Sequence, residues 1–114
     1  MPYINSKVNA KITKEEEVLL KEKLGTAIEL IPGKSEEWLM IGFEEDCCLY
    51  FRGNNEEKIA YIEVKIFGTV KKSDIDNLTG EICHIYEEVL SIPQSQIYIK
   101  YEEVSLWGWN GGNF

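Results

Sequence analysis

The segment Ile59-Ala60-Tyr61-Ile62-Glu63-Val64-Lys65-Ile66-Phe67 decides the fold of this chain. Its smaller apolar residues, Ala60, Ile62, Val64 and Ile66, alternate with polar or aromatic ones. A period of two residues is typical of a β-strand that buries one face and leaves the other open. We therefore predict a strand over residues 59–67, and the flanking segments indicate how its apolar face is covered.

Two helices are predicted, one on each side of this strand in the sequence. The first is expected to begin at Thr13, whose hydroxyl can cap it while Glu16 completes a capping box, and to end at Pro32-Gly33. The second is expected to start from a Ser73 cap and to stop before Pro93. Apolar residues recur in both at spacings of three and four, which gives each helix one buried stripe. The stripes are Leu20, Leu24, Ala27 or Ile28 and Ile31 in the first helix, and Ile75, Leu78, Ile82, Ile85 or Tyr86 and Val89 in the second.

Further strands are predicted at residues 2–8, 38–43 and 97–103, with a short one at 49–51 before a turn at 53–55. Sliding the chain by 58 positions superposes its two halves. Tyr3-Ile4 then falls on Tyr61-Ile62, Leu24 on Ile82, Ile41 on Ile99, and Phe43-Glu44-Glu45 on Tyr101-Glu102-Glu103. Each half is therefore predicted to be a β-α-β unit, whose helical crossover joins parallel strands with right-handed sense.

These units predict an α/β (α+β) fold in which duplicated β-α-β units form a four-stranded mixed sheet with two helices on one face. We expect one domain over residues 1–114, with internal repeats at about 2–45 and 60–103. The other face would carry Trp38, Met40 and Gly42 on one strand, and Tyr98, Lys100 and Glu102 on another. Because an exposed aromatic surface favours burial, we expect an oligomer in which each subunit lends residues to its neighbour's site.

The composition narrows the classes of partner. With 20 acidic and 12 basic residues, the net charge of −8 opposes phosphate backbones and anionic lipid headgroups. No apolar run approaches the roughly 20 residues of a membrane span, and the start lacks a signal-peptide pattern. Cys47, Cys48 and Cys83 contain no CxxC pair, and His84 is the only histidine. We therefore expect no nucleic acid, membrane, metal or cofactor, and a reducing, cytoplasmic location.

The start of the chain, Met1-Pro2, offers a reactive nitrogen. Initiator methionine is normally removed before a small residue such as proline, which would leave Pro2 as a free secondary amine. An α-amino group has an unperturbed pKa of roughly 8, which apolar walls or a nearby cation lower. A neutral amine near pH 7 can act as a general base. Taken alone, however, proline is also a common second residue without any catalytic role.

Several motifs, in their order and spacing, resemble the tautomerase superfamily, and most closely its macrophage migration inhibitory factor (MIF) / D-dopachrome tautomerase branch, over essentially the whole chain. They are Met1-Pro2, Gly33-Lys34, the strand Ile97-Tyr98-Ile99, Gly108-Trp109-Asn110 and terminal Phe114. The resemblance implies a homotrimer whose active sites lie between subunits and interconvert the keto and enol forms of small aromatic α-keto acids such as phenylpyruvate. On this basis Pro2 is expected to be the catalytic base.

The resemblance also implies roles for other positions. Lys34 would bind the substrate carboxylate and hold the Pro2 amine neutral, although most lysines are solvated surface residues. The backbone N–H of Ile66 would assist carboxylate binding. The remaining substrate-binding candidates, of which the aromatic ones would form flat apolar walls, are Tyr3, Trp38, Lys65, Tyr98, Lys100, Trp109 and Phe114.

Departures from the family pattern concern specificity. Lys100 stands where the family often has an asparagine that reaches the site from the next subunit, Lys65 adds charge near the mouth, and Trp107 replaces a smaller aliphatic residue. The redox CxxC of the mammalian cytokine is absent.

Two alternative functions stay open. The first is a cytokine-like interaction protein with a protein receptor, non-classical secretion and tautomerase activity as a side property. The second is a structural trimer with neither function.

Overall fold

The computed structural model describes residues 1–114 and contains one four-stranded mixed sheet. The strands run in the spatial order β2-β1-β3-β4, where β1 is Pro2–Val8, β2 is Met40–Glu44, β3 is Ala60–Phe67 and β4 is Ile97–Val104. The β1–β2 and β3–β4 pairs are parallel, and β1 and β3 are antiparallel. This topology confirms the predicted pair of β-α-β units joined into one mixed sheet.

Both long helices cover the same face of the sheet. They are α1 (Lys14–Ala27) and α2 (Lys72–Leu90), and they pack against each other. In β1 and β3 every second residue is buried, as the period of two predicts. The core joins Ile4, Ile62, Val64 and Ile66 of the sheet to apolar side chains of both helices, among them Leu20, Leu24, Leu78, Ile82 and Tyr86.

The predicted capping box of α1 is confirmed. The Glu16 backbone N–H donates to Thr13 Oγ1 at 3.1 Å, and the Thr13 N–H donates to the Glu16 carboxylate at 2.9 Å. The predicted Ser73 cap of α2 is wrong. The carbonyl oxygen of Lys71 accepts from the N–H groups of Asp74 and Ile75, each at 3.1 Å, so α2 begins at Lys72 and Ser73 lies inside its first turn.

Two strand predictions also need correction. Glu36–Trp38 form a short 3₁₀ turn, whose internal hydrogen bonds occupy the N–H groups of Trp38 and Leu39, so β2 starts only at Met40. Residues 49–51 form no strand, because within this chain no strand lies beside Leu49 and Tyr50. Phe51 alone is bridged, to Asn54 across a two-residue turn.

The C-terminal residues form a small hairpin that the sequence pattern does not predict. Its strands, β5 (Gly108–Trp109) and β6 (Gly112–Asn113), are joined by a turn in which Asn110 and Gly111 have φ values of 54° and 78°. These values suit asparagine and glycine. The hairpin returns the chain to the start of β1 and thereby carries aromatic side chains towards Pro2.

Neither α1 nor α2 combines the length and the hydropathy that crossing a bilayer requires.

Candidate active site

Pro2 is the first residue of β1 and is buried. It lies opposite Ile66 in the antiparallel pair of β1 and β3, and the backbone N–H of Phe67 donates to the carbonyl oxygen of Met1 at 3.0 Å. These contacts hold the beginning of the chain against the end of β3. The side chain of Ile66 points into the core, so only its backbone can contribute to a site at this position.

Lys34 reaches the same end of the sheet from the loop after α1. Its backbone N–H donates to the carbonyl oxygen of Ile31 at 3.0 Å, and its Nζ donates to the carbonyl oxygen of Phe67 at 3.2 Å. The side chain is half-buried and makes no salt bridge with an acidic residue. Its positive charge is therefore available to an anion that binds here.

The electrostatics of this corner disfavour a second positive charge. Burial lowers the pKa of the Met1 amino group below its ordinary value, and the charge and hydrogen bonding of Lys34 lower it further. Both causes act on any amine at this position, because desolvation and a like charge penalise the protonated form. The corner thus stabilises a neutral amine beside a cation.

A cleft of about 760 Å³ opens next to Pro2. Its walls are mostly apolar and are formed by Met1, Pro2, Tyr3, Glu37, Trp38, Leu39, Met40, Ile41, Trp107, Gly108 and Trp109. The rings of Trp38 and Trp109 pack edge to face, with ring centroids 5.2 Å apart. Phe114 stacks on Trp109 at 6.4 Å and packs against Phe67 at 5.4 Å. These four rings form a continuous aromatic wall, of which Trp38 and Trp109 line the cleft and Phe67 and Phe114 do not.

Tyr98 and Lys100 lie away from this cleft in the same chain. Tyr98 pairs with Tyr61, whereas Pro2 pairs with Ile66, so the two positions are separated by about 17 Å along β3. Lys100 lies between them on the open face, and its Nζ contacts the Glu102 carboxylate at 2.8 Å. One chain therefore brings together only part of the predicted site.

Tyr3 and Lys65 are paired neighbours on the open face of the sheet, and both are half-buried. Tyr3 lines the cleft, whereas Lys65 does not. Two further residues at the site are not marked by any sequence motif. They are Phe67, whose backbone contacts both Met1 and Lys34, and Glu37, which adds an exposed carboxylate to the cleft. The position of Phe67 follows from strand register, which the sequence pattern leaves open.

Comparisons with known proteins agree with this architecture. The family model of macrophage migration inhibitory factor matches residues 1–114. MIF2 of Leishmania major superposes with a TM-score of 0.92 at 26% identity, covering 100% of this chain and 97% of its own. The MIF homologue of Prochlorococcus marinus has a TM-score of 0.88 at 33% identity and 98% coverage of both chains.

The MIF-like protein of Entamoeba histolytica superposes with a TM-score of 0.87, covering 99% of this chain and 98% of its own, and at 21% identity it shows the shared fold alone. No curated protein sequence matches the chain. The family match over every residue and the 33% identical homologue show that the chain belongs to the macrophage migration inhibitory factor family.

Proposed function

We propose that this chain, as a single domain over residues 1–114, is a keto–enol tautomerase of phenylpyruvate-like aromatic α-keto acids, with Pro2 as catalytic base after removal of Met1. Membership of the MIF family supports a tautomerase/MIF-like function in general. The observation that carries the finer proposal is the surroundings of Pro2. It is buried at the end of an apolar cleft, and the unpaired Lys34 lies at the same corner.

The basicity of a terminal Pro2 amine can be inferred from the groups that act on the neighbouring Met1 nitrogen. The Met1 amino group has a lowered pKa because of burial and Lys34. Once Met1 is removed, the Pro2 amine becomes the terminal nitrogen, one residue further into the fold. The same desolvation and the same cation would act on it, so its pKa should also be lowered, which increases its neutral fraction near pH 7. A base with a pKa near the working pH is the most effective proton acceptor.

The reaction is a proton transfer without any change in oxidation state. The substrate carboxylate would bind Lys34, and the aromatic ring would lie against Trp38, Trp109 and Phe114. The Pro2 amine would take a proton from the carbon next to the carbonyl, and the electron pair of that C–H bond would form the carbon–carbon double bond of the enol. The resulting ammonium would return the proton to the oxygen, which regenerates the base.

The distribution of the residues supports a homotrimer with sites between subunits. Within one chain, Tyr98 lies about 17 Å from Pro2 along the strands, and Lys100 lies between the two. Both Tyr98 and Lys100 are on a sheet face that no helix covers. We propose that a neighbouring subunit supplies these two residues to the cleft, and that association of the subunits covers the open face. This arrangement would bury Tyr98, which is 62% exposed in the single chain.

The test is enolisation of phenylpyruvate by the wild type and by Pro2→Gly, Lys34→Ala and the control Lys21→Ala. Lys21 is an exposed cation on α1, remote from the cleft. Pro2→Gly is expected to lose activity and Lys34→Ala to retain only a reduced kcat/KM, with Lys21→Ala unchanged. Unchanged rates in Pro2→Gly would refute the proposal. Intact mass of each sample establishes whether Met1 has been removed.

A MIF-like interaction protein is the second candidate. It is favoured by apolar side chains on the helical surface, since Val18, Leu19 and Leu30 are each about two-fifths exposed and a groove of about 460 Å³ runs beside Leu19 and Leu30. Binding of a partner protein that survives Pro2→Gly would support this role. A cytoplasmic location, or non-classical secretion in the second case, stays a prediction.

A further inference from the structure

We propose that Arg52 is a specificity-determining residue that binds a second negative charge on the substrate. The site would then prefer dianionic enolisable acids, such as an arylpyruvate with a carboxylate on its ring, over monoanionic ones. This inference rests on the proposed function, because it assigns Tyr98 and its neighbours to the cleft of the adjacent subunit.

Arg52 is held in an unusual backbone conformation. Phe51 and Asn54 exchange hydrogen bonds of 2.9 and 3.2 Å around a two-residue turn, in which Arg52 has φ = 54° and Gly53 has φ = 79°. Such a turn favours asparagine or glycine at both central positions, whereas a long side chain in the left-handed region is disfavoured. Disfavoured backbone conformations of this kind occur preferentially at binding sites.

The turn directs the side chain of Arg52 back over the ring of Phe51, with the guanidinium carbon 5.1 Å from the ring centroid. The rings of Phe51 and Tyr98 in turn pack edge to face, with ring centroids 5.0 Å apart. An apolar hollow of about 210 Å³ lies alongside, between Leu49, Tyr50, Tyr61 and Tyr98. When Tyr98 of this subunit enters the site of a neighbouring subunit, the guanidinium of Arg52 therefore lies close to that site as well.

The charges near Tyr98 favour Arg52 over Lys100 as the binding group. Lys100 forms a 2.8 Å salt bridge with Glu102, which raises the pKa of Lys100, and it also lies opposite Glu63 in the sheet. Arg52 contacts no carboxylate and is exposed. A guanidinium also binds a carboxylate through two parallel hydrogen bonds, which a lysine ammonium cannot do.

Two cations that make no salt bridge would then flank one cleft: Lys34 from one subunit and Arg52 from the next. A phenylpyruvate anion uses Lys34 alone. A substrate that carries a second carboxylate at the far end of its ring can engage both cations. The second contact would strengthen binding without touching the reacting carbon, so its effect should fall on KM more than on kcat.

The test compares 4-carboxyphenylpyruvate with phenylpyruvate in the wild type, Arg52→Gln, Arg52→Lys and the control Lys21→Gln, which removes one exposed charge elsewhere. We expect the wild type to favour the dianion by about tenfold in kcat/KM, the effect of one charge-assisted hydrogen-bonded pair. Arg52→Gln should abolish that preference through KM, and Arg52→Lys should keep part of it. An unchanged preference in Arg52→Gln, or an equal loss in Lys21→Gln, would overturn the inference.

Calorimetry with two non-enolisable analogues separates this inference from the proposed function. We expect the wild type to bind 4-carboxyphenylacetate more tightly than phenylacetate, and Arg52→Gln to bind both equally. If the wild type fails to enolise phenylpyruvate, the proposed function is wrong, and the binding comparison alone decides the role of Arg52. Equal binding of the two analogues by the wild type contradicts that role.

Discussion

Pro2 and Ile66 lie directly opposite each other in the antiparallel pair of β1 and β3. This pairing places the start of the chain at the end of β3, where the carbonyl oxygen of Phe67 accepts the hydrogen bond of Lys34. A terminal amine, a cation and an aromatic wall thus meet at one corner through backbone register rather than through sequence proximity.

Lys34→Ala should shift the acidic limb of the pH–rate profile to higher pH. The proposed base works only when unprotonated, so activity rises with pH through its pKa. Removing a neighbouring cation relieves the penalty on the protonated amine and raises that pKa. A rise in KM of about tenfold or more is also expected, because a charged hydrogen bond to the substrate is lost. The control Lys21→Ala should leave both quantities unchanged, and a limb that moves to lower pH would contradict the assignment.

Trp109→Ala should weaken binding of aromatic substrates more than of small ones. Trp109 contacts both Trp38 and Phe114, so its removal opens the centre of the aromatic wall. The KM for phenylpyruvate should increase by about tenfold, as expected when one flat apolar contact surface is removed. Trp107→Phe, which retains a ring at the edge of the cleft, serves as the matched variant. An equal effect of Trp109→Ala on an aliphatic α-keto acid would show that the ring is not what this residue recognises.

Arg52→Gly should raise stability while removing the preference for dianionic substrates. Glycine adopts the left-handed conformation at this turn without a steric penalty, whereas arginine does not. The gain in unfolding free energy should be about 1 kcal/mol. Urea denaturation at one protein concentration measures it, since an oligomer's stability depends on concentration. Destabilisation by this substitution would mean that the contact with Phe51 outweighs the backbone strain.

The buried hydroxyl pair of Ser6 and Tyr86 gives a prediction for the core. The two hydroxyls are hydrogen-bonded, and burial raises the pKa of Tyr86. Because the folded-state pKa exceeds the unfolded value of about 10, the contribution of Tyr86 to stability should be constant below pH 10 and fall above it. Tyr86→Phe should make the alkaline decline less steep, with the remainder due to Tyr101 and Cys83, whose pKa values burial also raises. It should destabilise the protein by about 1–2 kcal/mol at neutral pH, because Ser6 loses its partner.

Ser6→Ala provides the matched half of a double-mutant cycle with Tyr86→Phe. Each single substitution leaves one buried hydroxyl without a partner, whereas the double variant removes both. The double variant should therefore cost less than the sum of the single ones. Strict additivity in urea denaturation would show that the two hydroxyls do not stabilise each other.

Much of the fold was predictable because the strands and helices carry strong local patterns. The alternation in residues 59–67 and the Thr13–Glu16 capping box depend on neighbours in sequence, and both predictions are confirmed. The wrong strand prediction at residues 49–51 shows where local sequence patterns are insufficient. Apolar and aromatic residues favour an extended conformation, but a strand also needs a neighbour to pair with, and this chain offers none there.

The residues of the candidate site likewise fall into two groups, those that sequence motifs identify and those whose position depends on the folded structure. The motifs around Pro2, Lys34 and Trp109 mark residues that the fold brings to one corner. Phe67 and Arg52 escaped prediction because their roles depend on strand register and on a turn with positive φ, which side-chain patterns do not encode. The separation of Tyr98 from Pro2 is likewise a consequence of register.

The most direct test of the central claim compares the same chain with and without Met1, each form verified by intact mass, in the enolisation of phenylpyruvate. A retained Met1 turns the Pro2 nitrogen into an amide that cannot accept a proton. We predict that kcat/KM falls by at least about a hundredfold when Met1 is retained, the range that a general base contributes. Equal rates for the two forms would contradict the assignment of Pro2 as the base.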